Sequence, residues 1–193
     1  IVVGVRLRRP RTNETPRIKS IAILPFKPLV HEQADAALQL GMADAMITRL
    51  GRLQQLTVRP TSAVSKYLVG DVDALAAGRE LQVDAVLDGK IQRSGDRIRI
   101  TVQLLRVADG KSLWAGSFDD FFTNVFAVQD SISEKMTESL SVKLSGRDKE
   151  LLAQRHTENT EAYRLYLDGR YQWEKRTIEG LQRAIDYFQR AIA

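Results

Sequence analysis

Carboxylates are the residues in this chain whose type and spacing come closest to a catalytic pattern. Asp119 and Asp120 follow the segment SLWAGSF, and Asp84 and Asp88 bracket the segment AVL. A glycosidase-like pair of carboxylates needs a defined separation and burial, which spacing along a chain does not reveal. We interpret these side chains as solvated ends of strands and retain an unrecognised hydrolase as the less favoured alternative.

Other residue types that perform chemistry are scarce. The two histidines, His31 and His156, lie far apart in unrelated contexts, and the chain has no cysteine. The absence of cysteine excludes disulfides, thiol nucleophiles and cysteine metal sites. No Walker loop, GxGxxG, HExxH or GxSxG motif occurs, and a hairpin turn accounts for Gly95. We therefore predict no catalytic residue, no cofactor and no metal site, and expect the chain not to be an enzyme.

The positive charge of the chain is confined to its first residues. Residues 1–19 contain six basic side chains and one acidic side chain, whereas the other 174 residues contain 23 of each sign. Nucleic-acid binding normally requires a basic face that neutralises phosphates. The body of the chain is neutral, so we expect no direct contact with nucleic acid.

Residues 1–18 read as a leader and linker. The segment IVVGV precedes a cluster of arginines and a stretch rich in proline and threonine. Five apolar residues are too few to span a bilayer, which takes about 20. Two interpretations remain open from the residues alone. The segment is either the end of a membrane helix that lies mostly upstream of Ile1, or an ordinary tail or short strand.

Residues 19–146 show the pattern of an α/β domain. The apolar run SIAILPF (20–26) predicts a strand buried on both faces, and residues 34–53 carry apolar side chains at helical spacing. LTVRP (56–60) predicts a second strand. A helix capped by Thr61 or Ser62, and another capped by Asp71 or Asp73, are expected next.

Residues 84–119 predict a three-strand antiparallel meander. Ile98, Ile100, Val102 and Leu104 alternate with polar residues, which indicates one buried and one solvated face. Turn sequences SGD (94–96) and ADGK separate the strands. A helix from Ala127 to Ser145 is expected to close over the sheet. The predicted fold is therefore a mixed sheet with flanking helices and an antiparallel three-strand meander.

Residues 147–193 change to an all-helical pattern. Amphipathic helices are predicted over 159–175 and 178–192, with a break at Thr177. Small and aromatic residues recur in the manner of a tetratricopeptide (TPR) unit, although 15 residues separate its glycine from the first alanine, about three more than usual. One such repeat cannot bury its own face and must dock elsewhere. The predicted protein-interaction residues are Leu167, Gly169, Tyr171, Ala184, Phe188 and Ala191.

The order of several segments resembles a known bacterial domain. SIAILPF, GMADAMITRL (41–50), LTVRPTSAVSKY, VDAVLDGKIQRSGDRIRITVQLL, SLWAGSFDD and VFAVQDSI are similar, in this order, to the TolB-like amino-terminal domain of multidomain signalling proteins. The resemblance covers about residues 19–145. It implies an α/β domain without catalytic residues, commonly preceded by a transmembrane helix and followed by TPR units. In that family the upstream part is often a CadC-like winged-helix regulator, and sometimes an adenylate cyclase or a kinase.

The resemblance leads to one functional prediction and two alternatives. We expect a non-catalytic sensory or protein-interaction module of a membrane-anchored regulator, which binds a protein partner or self-associates. A structural dimerisation adaptor of a cyclase or kinase is the second reading, and the hydrolase is the third. Arginines beside a membrane helix usually mark the cytoplasmic side. A cytoplasmic DNA-binding head with a single span would instead place this domain in the periplasm, and we give that constraint more weight.

Overall fold

The computed structural model describes residues 18–29, 35–142, 144–154 and 157–193. The leader up to residue 17 and both histidines lie outside these ranges. The first strand, β1 (Ser20–Ile23), is followed by the two-residue strand β2 (Lys27–Pro28). Side chains from Ile21 to Leu24 are almost fully buried, as the uninterrupted apolar run predicts.

Three helices and a short strand follow. Helix α1 (Ala36–Leu50) begins at Asp35, whose side chain accepts a hydrogen bond from the Leu38 N–H. The short strand β3 (Thr57–Val58) comes next. Helix α2 (Thr61–Val64) begins after Pro60 without a side-chain cap, so the predicted capping role of Thr61 or Ser62 is wrong. Helix α3 (Ala74–Glu80) is capped by Asp73, one of the two predicted caps, whose side chain accepts a hydrogen bond from the Leu75 N–H.

The antiparallel meander is present as predicted, and its last strand continues past residue 119 to Phe121. It comprises β4 (Ala85–Ser94), β5 (Arg97–Arg106) and β6 (Ser112–Phe121). Gly95 and Gly110 adopt positive φ in the two turns, where glycine avoids the strain of a side chain. Because β6 extends to Phe121, both Asp119 and Asp120 lie within it, and Asp88 lies inside β4 rather than at its end.

The six strands form one mixed sheet in the order β3–β1–β4–β5–β6, and β2 also pairs with β4. The pairs that involve β1, β2 and β3 are parallel, whereas β4–β5 and β5–β6 are antiparallel. Alternate residues of β5 are buried and exposed. The buried set includes Ile98, Ile100 and Leu104, which confirms the predicted one-sided burial of this strand.

Four helices complete the described chain. In α4 (Val125–Ser139) the residues Val128, Ile132 and Met136 are buried in the core shared with α1 and the sheet. The helix ends before Leu144, earlier than predicted, and Ser141 has a positive φ of 52°. The last three helices are α5 (Gly146–Ala153), α6 (Thr160–Glu174) and α7 (Ile178–Ile192). Thr177 caps α7, as the predicted break at this residue requires. The mixed α/β fold with a terminal helical pair is thus confirmed.

Candidate functional site

The junction between α1 and α6 contains the most specific polar arrangement in the described structure. Asp44 lies in the middle of α1 and is buried. One carboxylate oxygen accepts a hydrogen bond from the Thr61 hydroxyl at 2.6 Å and from the Arg170 guanidinium at 2.6 Å. The Tyr166 hydroxyl lies 3.4 Å from the second oxygen. One carboxylate thus joins α1, α2 and α6.

This ion pair orients α6 on the α/β domain. Burying a carboxylate is costly unless a cation and hydrogen bonds compensate it. The partners of Asp44 come from residues far away in sequence, and two of them, Tyr166 and Arg170, reach the carboxylate only when α6 lies in this position. Leu167 packs against Gly41 of α1 so closely that a side chain at Gly41 would collide with it. The Gly41–Leu167 contact and the Asp44–Arg170 ion pair therefore favour the same position of α6 against α1.

Two tyrosines of α6 face α1 and α4 at this junction. Burial raises the pKa of the Tyr163 phenol, although a hydrogen bond from the Gln129 amide at 2.6 Å opposes this effect. Burial also raises the pKa of Tyr166, and the Asp44 carboxylate adds to the increase. Both phenols are therefore protonated at neutral pH and act as hydrogen-bonding groups rather than as nucleophiles.

A cleft of about 520 Å³ opens beside these groups. Its walls include Arg49, Phe126, Tyr163, Tyr166 and Ile192 of α7. Arg49 forms an ion pair with Asp130 of α4, so its charge is already balanced. The volume is within the range of small-molecule sites. The cleft can hold a group with both apolar and polar parts. Its ionic side chains Asp44 and Arg49 already form ion pairs with Arg170 and Asp130.

The six predicted interaction residues have different surroundings in the structure. Gly169 lies so close to Phe188 that an added side-chain carbon would be 2.5 Å from the ring, and Ala184 is fully buried. These three residues pack α6 against α7. Leu167 instead docks α6 on the α/β domain. Ala191 lines the cleft, and Tyr171 contacts the Lys175 ammonium at 4.5 Å from the ring centre. A protein-binding role of these six residues stays a prediction.

One face of α7 remains apolar and exposed. Ile178, Ile185 and Ile192 are 73%, 55% and 86% exposed, and Leu181 is 37% exposed. They follow a spacing of three, four and seven residues, which places them along one side of the helix. These four residues form an apolar stripe along α7, and each of them is exposed in the described structure.

The carboxylates suggested by the sequence are not brought together. Asp84 accepts hydrogen bonds from the Lys19 N–H, the Ser20 N–H and the Ser20 hydroxyl, each at 2.9 Å. Burial alone would raise the pKa of Asp84, but these hydrogen bonds lower it overall. Hydrogen bonds from Arg97 and Arg99 lower the pKa of Asp119. Both carboxylates are thus engaged in holding neighbouring strands.

Asp88 differs because burial raises its pKa, against the opposing charges of Lys27 and Lys90. Asp88 of β4 pairs with Gln103 of β5. Asp119 pairs with Arg99 of β5 from the other side, because it belongs to β6, two strands away from β4. Strand spacing and rise place these two carboxylates about 16 Å apart, further than the separation that glycosidases use. Neither lines the cleft at the junction. Among the described residues no cluster of metal-ligating side chains occurs.

Sequence reasoning missed Asp44, Arg170 and the two tyrosines. A signal was present, because Asp44 lies one helical turn from Leu40 and from Ile47 on the apolar stripe of α1. A charged residue on a stripe that otherwise faces a core indicates a buried partner. The partner itself was hidden, since Arg170 belongs to a segment with several arginines and no distinguishing pattern.

The fold and this junction define a mixed α/β domain with an attached helical pair. Residues 17–135 match the model of the family described as the second domain of HilA/YgeH-like transcriptional regulators. This match covers more than half of the chain, and the chain belongs to this family. The family match does not extend to the predicted TPR unit, and it does not distinguish a CadC-like regulator from other regulators. Both assignments stay predictions.

A curated relative gives a second comparison. The chain is 31% identical over 157 residues to a protein of Rhizobium meliloti (strain 1021) whose name describes an adenylate cyclase. The alignment covers 81% of this chain and 27% of the relative. The chain thus corresponds to about a quarter of that longer protein.

Solved structures with a related arrangement are distant. TolB from Acinetobacter baumannii matches 65% of this chain and 29% of its own, with 18% identity and a TM-score of 0.48. Lipoprotein GNA1162 from Neisseria meningitidis matches 65% of this chain and 99% of its own, with 17% identity and a TM-score of 0.44. Within the described ranges, no helix has the length and apolar character needed to cross a bilayer.

Proposed function

We propose that this chain is a non-catalytic protein-interaction module that controls the effector domain of a bacterial signalling protein. The observation that carries the proposal is its membership in a family of regulator second domains. The geometry supports this role in two ways. The buried polar groups at the α1–α6 junction hold helices together, and Asp88 and Asp119 lie too far apart to act as a catalytic pair.

The surface proposed for the partner is the exposed stripe of α7. Four apolar side chains at helical spacing suit an amphipathic helix that lays its own apolar face against them. Because Asp44, Arg170 and Leu167 fix α6, and α6 packs on α7, the stripe is displayed at a defined angle to the sheet. Partner binding could then bias the effector through its differential affinity for two states.

We further propose that the effector is a CadC-like winged-helix DNA-binding head, which the membership in a family of transcriptional regulators supports. A transmembrane helix upstream of Ile1 would connect the DNA-binding head to this module. Because a single span puts its two flanks on opposite sides of the membrane, a cytoplasmic head would place the module in the periplasm. The basic residues of the leader are compatible with a juxtamembrane position, although they favour the opposite orientation. Fusions of the full-length protein to alkaline phosphatase at its carboxyl end would be active only in a periplasmic orientation.

A second candidate is an adenylate cyclase whose activity this module regulates. The relative from Rhizobium meliloti favours it. The two candidates share the same module and differ in the attached effector, so the full-length reading frame distinguishes them. A winged helix supports the first, and a cyclase catalytic domain supports the second.

The interaction role is tested with Ile185→Glu in the full-length protein, with Arg183→Glu as the matched control on another exposed face of α7. We expect the first variant to abolish the change in reporter output or cyclic AMP between inducing and non-inducing growth, with protein abundance unchanged. The control should respond normally. Equal responses of both variants and the wild type, or hydrolytic activity of the 193-residue chain alone, would contradict the proposal.

A further inference from the structure

The cleft beside the α1–α6 junction has an aromatic wall. Phe126 of α4 and Tyr163 and Tyr166 of α6 line it, and Ala45 and Ala162 add small side chains. The ring centres of Phe126 and Tyr163 are 4.8 Å apart, and those of Tyr163 and Tyr166 are 6.5 Å apart. These neighbouring rings give the cleft a largely apolar lining, which is typical of small-molecule sites.

A buried hydrogen-bond donor on this wall lacks an acceptor. The Gln129 amide nitrogen donates to the Tyr163 hydroxyl at 2.6 Å and to the Met42 sulfur at 3.3 Å. Because a thioether accepts hydrogen bonds but cannot donate them, the nitrogen of the amide must face both partners. The Tyr163 oxygen is therefore an acceptor towards Gln129, and its own proton finds no acceptor among the described residues. Tyr163 is only 6% exposed, so an unmatched proton there is costly.

Arg49 brings further donors to the same cleft. It is 8% exposed and pairs with Asp130 through one nitrogen. A guanidinium has five N–H groups, and the described ranges contain no second acceptor for those of Arg49. Burial raises the pKa of Tyr163 and the nearby charge of Arg49 opposes this effect, which indicates that the two residues are close. Their spare donors select a ligand atom that accepts hydrogen bonds.

The charges on the wall favour an uncharged ligand. The buried ionic side chains Asp44 and Arg49 are already paired with Arg170 and Asp130. Arg52 is only partly buried and donates to a backbone carbonyl of α5 at 3.1 Å. A charged molecule would therefore lose its hydration without a buried counterion to replace it. Water would satisfy the spare donors, but it would also wet the apolar lining, which is unfavourable.

We propose that this cleft binds an uncharged small molecule that combines an apolar body with a carbonyl oxygen. The oxygen accepts hydrogen bonds from the Tyr163 hydroxyl and the Arg49 guanidinium, and the body packs against the rings of Phe126 and Tyr166. Such a ligand touches α1 and α4 on one side and α6 on the other. Its binding therefore strengthens the attachment of the helical pair to the α/β domain.

The consequence for signalling rests on the proposed function, whereas the binding itself does not. Ile192 lines the cleft and also belongs to the exposed stripe of α7. A molecule in the cleft would contact the end of the helix that displays this stripe. Occupied and empty clefts would then give the partner surface two states of different affinity, as regulation by a ligand requires.

Three probes of similar shape test the site in the 193-residue chain. Benzophenone has two rings and a carbonyl oxygen, 1,1-diphenylethylene has a CH₂ group in place of that oxygen, and diphenylacetate carries a negative charge. Two-dimensional NMR titrations give the position and the dissociation constant for each probe. We expect benzophenone to shift the signals of Ala45 and Ala162, and to bind at least about three-fold more tightly than the other two probes.

Two variants separate the hydrogen bond from the apolar contacts. Tyr163→Phe removes the donor and keeps the ring, so it should weaken benzophenone binding about five-fold and leave 1,1-diphenylethylene unaffected. A general loss of folding would not discriminate between these probes. Ala45→Leu should fill part of the cleft and weaken both. Ala76→Leu, at an exposed position of α3, is the matched control and should bind both probes like the wild type.

Several results would overturn the proposal. These are signal shifts that lie away from the cleft, an equal effect of Tyr163→Phe on benzophenone and 1,1-diphenylethylene, unchanged binding in Ala45→Leu, or tightest binding of diphenylacetate. Ile185→Glu, which tests the proposed partner surface, should bind benzophenone normally. Failure of the ligand site therefore leaves the regulator assignment intact, and failure of the partner surface leaves the ligand site intact.

Discussion

The α/β domain and the α6–α7 pair are stabilised in different ways. The sheet and helices α1 and α4 share a continuous apolar core in which Ile21, Leu104 and Ile132 are almost completely inaccessible. The helical pair has few buried residues, and α7 has only Gly180 and Ala184. It is held by Leu167, by the Asp44–Arg170 ion pair and by the Gln129–Tyr163 hydrogen bond. The first region therefore contains its own stabilisation, whereas the second depends on specific contacts with the first.

The largest test of this difference is Leu104→Ala in β5. Removing a buried leucine leaves a cavity and costs about 3 kcal/mol. Both regions should lose stability together, because α6 has nothing to dock on once the core opens. The two tryptophans, Trp114 in β6 and Trp173 in α6, report the regions separately in single-tryptophan variants. Urea unfolding that leaves the Trp173 transition unchanged would contradict the dependence of the helical pair on the core.

Asp44→Asn should separate the two regions. It leaves the Arg170 guanidinium, which is partly exposed, beside a neutral partner, and we expect a loss of about 2 kcal/mol. The Trp173 transition should shift to lower urea while the Trp114 transition moves less. Asp186→Asn, which alters an exposed ion pair within α7, is the control and should change stability by less than about 0.5 kcal/mol. Equal shifts at both tryptophans would show that the junction is not a separate unit.

Gly169→Ala tests the packing inside the helical pair. The added carbon would lie 2.5 Å from the Phe188 ring, and such overpacking costs about 1–2 kcal/mol. Hydrogen exchange of α6 and α7 should accelerate while the sheet retains its protection. Gly146→Ala is the matched control, because nothing surrounds that position within 4 Å. The control should be neutral or slightly stabilising, and a comparable loss there would refute the packing explanation.

The smallest expected effect is that of low pH on the unfolding free energy of the α/β domain. The pKa of Asp84 is lowered below its ordinary value of 3.8, so its contribution is complete above that pH and is lost as the pH falls through the folded value. Asp84→Asn should cost about 1 kcal/mol at neutral pH, from weaker hydrogen bonds to β1. Its unfolding free energy should also fall less steeply than that of the wild type below pH 4. Parallel curves for the two proteins would exclude Asp84 as a source of acid sensitivity.

Local patterns predicted the elements better than their ends. The alternation in β5, the turns at Gly95 and Gly110, and the cap at Asp73 depend on neighbouring residues and were confirmed. The end of β6 was placed too early, because Asp119 and Asp120 look like loop residues until cross-strand partners such as Arg99 are known. The predicted capping role of Thr61 was wrong because its partner lies elsewhere in the sequence. Its hydroxyl donates a hydrogen bond to Asp44, which is 17 residues away.

The sequence by itself determined the fold class, the one-sided burial of the meander and the helical character of residues 160–192, because these follow from apolar periodicity and turn chemistry within short windows. Only the tertiary structure decided that Asp44 would bind Arg170 and that Leu167 would pack against Gly41 of α1. These features depend on residues brought together across more than 100 positions, and the energy of a buried charge has no counterpart in local sequence.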